Sequence, residues 1–131
     1  MNTKLRPLML YVALAVCRVA VAHHSLSAEF DMHKASTLSG VITRVEWGNP
    51  HTWLFIDVAD GATHRRVSWA LQLPSPNLFD RLGWHREPFQ LGTTVVVDGY
   101  PAKDGSRKVC VQDLVSTDGK KLYAERVSGA R

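Results

Sequence analysis

After Thr37 the chain alternates apolar and polar residues in short runs, and turn-forming residues fall where the alternation breaks. Thr37 to Trp47 is β-branched and aromatic and predicts a first strand, with Gly40 inside it as the mark of a bulge or sharp bend. Gly48-Asn49-Pro50 supplies a turn, so His51 opens the second strand. In Thr52 to Val58 the period of two puts Leu54, Ile56 and Val58 on one face and Trp53, Phe55 and Asp57 on the other. Apolar mass on both faces means that the second face is either covered or used for binding. Asp60-Gly61 signals a hairpin into a third strand, Arg66 to Leu71, with Val67, Trp69 and Leu71 on one side.

The meander then changes period. Ser75 as N-cap and Pro76 at the first helical position start a short helix running to about Leu82, where Gly83 suits the C-terminal end. Thr93 to Gly99 and Lys108 to Val115 read as the fourth and fifth strands, and Lys121 to Tyr123 as a short last piece after the Thr117-Asp118-Gly119 turn. Three strands, a helix and two strands is the element order of an all-β, OB-like five-stranded barrel with its helix between strands 3 and 4. An SH3-like barrel or a small open sandwich gives much the same pattern. The barrel domain is expected over residues 37–126, preceded by an irregular, His-rich arm over residues 23–36.

Residues 1–22 have a different character. Lys4 and Arg6 form a positive region, Leu8 to Val16 an apolar run, and Ala20 and Ala22 the small residues of a cleavage site. The run is too short to span a membrane, so it reads as a signal peptide cut after Ala22, with a periplasmic or secreted product and no membrane span after its removal. A lipidated Cys17 fits poorly, because Val16 stands where a small residue is expected.

Processing changes the meaning of the charge. Of the formal net charge of +4, three positive charges leave with Lys4, Arg6 and Arg18, and what remains excludes a basic nucleic-acid-binding surface. Cys110 becomes the only cysteine, so no internal disulfide forms. Cys110 alternates with Val109 and Val111 and reads as a small packing residue, with an intermolecular disulfide as the alternative.

Several blocks resemble a bacterial family of small exported proteins, the domain of unknown function 6152 family. They are Ala22-His23-His24-Ser25 with Glu29-Phe30-Asp31, Glu46-Trp47-Gly48-Asn49-Pro50-His51-Thr52-Trp53, Gly83-Trp84, and Gly99-Tyr100-Pro101-Ala102-Lys103-Asp104-Gly105-Ser106. The resemblance implies export and an OB-like barrel and carries no settled activity. Members commonly have an acidic residue near the end of the third strand and a Gly-rich step after it, where this chain has Gln72 and Leu73-Pro74.

The six histidines, at 23, 24, 33, 51, 64 and 85, all follow the cleavage site. Cleavage after Ala22 would place a free amine and an imidazole on His23, and a second imidazole would complete the three-nitrogen arrangement called a histidine brace, which suits Cu(II). His51, held at a strand entrance by a proline turn, is the candidate second ligand. His24 offers another chelate, common to any peptide with histidine second. Against this stands a solvated terminus, with His51 merely bonded to backbone. His33 is a possible further ligand, whereas His64 and His85 lie among arginines and read as surface residues.

Other candidates are weaker. Trp53 and Phe55 share a face that could hold a ligand, whereas Trp69 and Trp84 read as packing residues. Glu46 and Asp57 could form an acid/base pair only if the fold brings them together. Glu29 and Asp31 are possible acceptors for a metal-bound ring, and Lys103 to Ser106 reads as a β-turn rather than a phosphate loop. The expected function is a periplasmic copper-binding accessory protein, partnered by a redox or metal-handling protein; the reading leans away from an enzyme but leaves oxidative chemistry at the copper open. The alternative is a metal-free module binding a small molecule, glycan or protein through Trp53 and Phe55.

Overall fold

The structure is a computed structural model, and it describes residues 26–125. The elements run β1 (Ser36–Glu46), β2 (Thr52–Ala59), β3 (Arg66–Leu73), α1 (Pro76–Arg81), β4 (Thr94–Pro101), β5 (Lys108–Ser116) and β6 (Lys121–Ala124). Strand order is β3-β2-β1-β4-β5-β6, antiparallel throughout except for one parallel pairing of β3 with β5. That pairing, Ala70 to Lys108, Leu71 to Val109 and Gln72 to Cys110, closes β1 to β5 into a barrel. The fold is therefore the OB-like barrel that the element order predicts, with its helix between β3 and β4 and β6 added along β5.

The inward faces follow the period of two. Leu54 and Ile56 of β2, Leu71 and Leu73 of β3, Val95 and Val97 of β4, and Val109 and Leu114 of β5 are essentially buried. Phe79 of α1 caps one end of this core, stacked on Tyr123 with ring centroids 5.9 Å apart and meeting Trp47 and Phe89 edge-on. Trp69 and Trp84 pack against the same core. Ser75 caps α1 by accepting from the Leu78 N–H, Pro76 opens the helix, and Gly83 follows it at a φ of +81°.

Two local expectations are refined. The β1 bulge lies between Ile42 and Arg44, not at Gly40, and Gly40 answers instead to crowding. A β-carbon on Gly40 would lie 2.7 Å from the Asp57 carbonyl oxygen, because β1 is paired on both sides at that point. The β2–β3 turn is organised by the Asp60 carboxylate, which accepts from the Ala62 and Thr63 N–H groups, and its left-handed residue is His64 (φ 56°) rather than Gly61. The first cause of the lowered Asp60 pKa is its bond from the Thr63 amide.

The segment before β1 is tied to the barrel. Residues 26–29 form a helical turn, and Phe30, fully buried, bridges antiparallel to Ala102. The Asp31 N–H donates to the Pro101 carbonyl and the Lys103 N–H to the Glu29 carbonyl, both at 2.9 Å. Lys108 adds an ion pair to Glu29 at 2.6 Å. This segment therefore lies over the β4–β5 hairpin, beside the seam where β3 meets β5.

Candidate functional site

A pocket of about 230 Å³ opens at that seam. His51 and Pro50 line it from the entrance of β2, Gln72 from the end of β3, Cys110 from β5, Tyr123 from β6 and Leu26 from the N-terminal turn. Leu73, Pro74, Leu78 and Val111 make most of the remaining wall apolar. Elements far apart in sequence meet here because the parallel β3–β5 pairing sets Gln72 beside Cys110, while β2 sets Trp53 beside Gln72.

His51 is half-buried, with the Asn49–Pro50 peptide before it cis. Its Nε2 lies 3.2 Å from the Gln72 side-chain nitrogen, and its ring meets Trp53 edge-on at 6.5 Å between centroids. Gln72 itself is only 6% exposed, although it alternates with the core residues Leu71 and Leu73. An amide nitrogen can only donate, so this contact matches a neutral His51 ring that accepts at Nε2 and carries its proton on Nδ1.

Two other pocket groups are held protonated. Burial, followed by the charges of Glu125 and Glu29, pushes the Cys110 thiol up to about 11. At neutral pH, with no metal bound, it is a thiol and a poor nucleophile. Burial likewise raises the Tyr123 phenol well above its ordinary range, with Glu125 adding to the effect. The polar groups of the pocket are thus the His51 imidazole, the Gln72 amide and the Glu125 carboxylate, beside a protonated thiol and phenol.

Of the residues singled out from sequence, His51 lies in this pocket, whereas His23 and His24 fall outside the described residues. Leu26 lines the same pocket as His51, and His23 is three residues before it, within about 10 Å of chain at ~3.3–3.6 Å per residue. Among the described residues, no three His, Cys, Asp or Glu side chains come together as a metal cage. The described residues around His51 therefore do not by themselves complete a metal cage.

Trp53 and Phe55 lie on the outer face of β2, half-buried, and the Arg44 guanidinium covers one face of the Phe55 ring at 3.8 Å. Glu46 sits opposite Trp53 and pairs with Arg44, while Asp57 is four residues further along β2, about 13 Å at ~3.3 Å per residue. They form no acid/base pair. Glu29 is engaged by Lys108 and Asp31 by Lys34. His64 lies in the β2–β3 turn, and His85 lines a separate cavity with Trp84 and Glu87. Asp104 accepts from both the backbone and the hydroxyl of Ser106, closing a β-turn with Gly105 at φ 77°.

Sequence reading alone does not bring Gln72, Cys110, Tyr123 and Leu26 to the site. One signal was there: Gln72 is a lone amide in the apolar run Trp69-Ala70-Leu71-Gln72-Leu73. Such a group, once buried, requires a partner.

No curated protein and no solved structure matches the chain. A model of a family of unknown function, domain of unknown function 6152, matches residues 12–111, which covers β1 to β4, the helix between them and the first strand residues of β5. On that match the chain belongs to the domain of unknown function 6152 family.

Proposed function

We propose that this protein is an exported copper-binding accessory protein, in which Cu(II) is held by His51 and, after cleavage behind Ala22, by the amine and ring of His23. The observation that carries this reading is that Leu26 and His51 line one pocket. The chain thus enters the described structure beside the one described histidine that lines this pocket, within reach of the new terminus. An unprotonated amine and two imidazoles suit Cu(II), and an α-amine of ordinary pKa about 7.7–8.0 yields its proton to a metal near neutral pH. A redox or metal-handling protein of the same compartment is the corresponding partner.

The processed protein, its terminus fixed by intact mass, is titrated with Cu(II) under electron paramagnetic resonance. A His23 terminus, one tight site with three-nitrogen hyperfine structure and its loss in His51→Ala support the reading. Equal affinity in wild type and His51→Ala, or no effect of an extra residue placed before His23, overturns it. In that case the Trp53 and Phe55 face becomes the surface to test for a metal-free ligand.

A further inference from the structure

The His51–Gln72 contact has a property that neither an acid nor an alkyl side chain at position 72 would share. An imidazole carries one proton and one lone pair on its two nitrogens, and whichever nitrogen meets a partner decides what the other offers. A carboxylate can only accept, an ammonium can only donate, and leucine can do neither. A primary amide does both, exchanging donor for acceptor by half a turn about its last torsion. The fold holds Gln72 in place beside the ring. Its side chain is buried, its neighbours along β3 point into the core, and its register partners are Trp53 and Cys110.

We propose that Gln72 is the positioning residue of His51: its amide nitrogen holds the free ring in the Nδ1–H form, and its amide oxygen accepts the hydrogen bond of the Nε2–H when a metal claims Nδ1. With Gln72 donating to Nε2, the lone pair of the free ring is covered and the proton sits on Nδ1. Metal binding through Nδ1 moves that proton to Nε2 through solvent, with no net gain or loss. Gln72 then presents its oxygen to the new N–H, the outer contact that metal-bound imidazoles characteristically make. The ring changes its donor atom without leaving its place beside Trp53. The metal half of this inference rests on the proposed copper reading, whereas the metal-free half stands on the contact alone.

The test reads ring nitrogens directly, by long-range ¹H–¹⁵N correlation of the histidine-labelled, processed protein above the pH range in which imidazoles titrate. In metal-free wild type, His51 is expected to show a protonated Nδ1 and a bare Nε2. In Gln72→Glu the assignment should reverse, because a carboxylate can only accept, and in Gln72→Leu it should become a mixture. On loading with diamagnetic Zn(II), wild type should reverse to a protonated Nε2, and Gln72→Leu should lose about tenfold or more in Cu(II) affinity, as outer contacts to metal-bound histidine commonly do. A protonated Nε2 in metal-free wild type overturns the inference even if copper binds. Failure of any metal to bind overturns the copper reading and the second half of this one, and leaves the metal-free assignment standing. The wild-type measurement needs no variant, so a poorly folding substitution does not blunt the test.

Discussion

Gly99 of β4 lies so close to Cys110 of β5 that a β-carbon on the glycine would fall 2.2 Å from the Cys110 carbonyl oxygen. The close approach accompanies the bulge between Asp98 and Gly99, and it brings β5 to the position from which Cys110 can also pair with Gln72. Gly99→Ala must therefore push the two strands apart at the barrel's closing seam. Overpacking of this kind costs typically ~1–3 kcal/mol, and backbone rather than a flexible side chain is what must yield, so the expected loss is about 3 kcal/mol in urea unfolding. Gly61→Ala, with nothing within 4 Å of its added carbon, is the control and should change stability little.

Thr52 is fully buried on the inward face of β2, and its hydroxyl has no hydrogen-bond partner among the described residues. A buried hydroxyl left unpaired costs about 1–3 kcal/mol, and an apolar group of the same shape removes that cost. Thr52→Val is expected to stabilise the protein by about 1 kcal/mol, read as a higher urea midpoint with an unchanged slope. An unchanged or lower midpoint would mean that the hydroxyl serves an interaction in solution.

The barrel was legible from sequence because its strands obey the period of two and its helix carries both a Ser75 cap and Pro76. The site was legible in part. His51 announced itself through the proline turn before it, but Gln72 and Cys110 become neighbours only through the parallel β3–β5 pairing, a contact between residues nearly forty positions apart that local periodicity does not encode. Position-dependent crowding escaped for the same reason. Gly40 looked like a bend, yet what excludes a side chain there is the Asp57 carbonyl of the next strand.

Cys110 gives a pH dependence with a definite sign. Its thiol titrates near 11 in the folded protein, chiefly through burial, against an ordinary value of 9.0. Between these values the unfolded chain loses its thiol proton while the folded one keeps it, so stability present below about pH 9 is lost as pH rises toward 11. Tyr123, raised in the same direction, adds its own loss above about 10. Cys110→Ala should flatten the pH 9–10 part of the stability curve and leave the steeper fall beyond it. In wild type, alkylation by iodoacetamide should be slow at pH 7.5 and keep accelerating beyond pH 9. A rate that levels off near 9 would show an ordinary, accessible thiol.

Phe30 anchors the described segment before β1 to the barrel. It is fully buried, it bridges to Ala102, and it follows directly on the turn that carries Leu26 to the pocket. Truncating a buried phenylalanine costs typically ~3–5 kcal/mol. Here the side chain packs at the margin of the barrel and is not among the central cluster, so Phe30→Ala is expected near the low end, about 3 kcal/mol. If His23 and His51 act together, the same substitution should also weaken Cu(II) binding, because it frees the segment whose tethering keeps the two within reach. Phe30→Leu should restore most of both. The decisive comparison is copper affinity at a temperature where Phe30→Ala is still folded by circular dichroism. Lost stability with undiminished affinity would separate the terminus from His51 and leave the pocket to some ligand other than a metal shared between them.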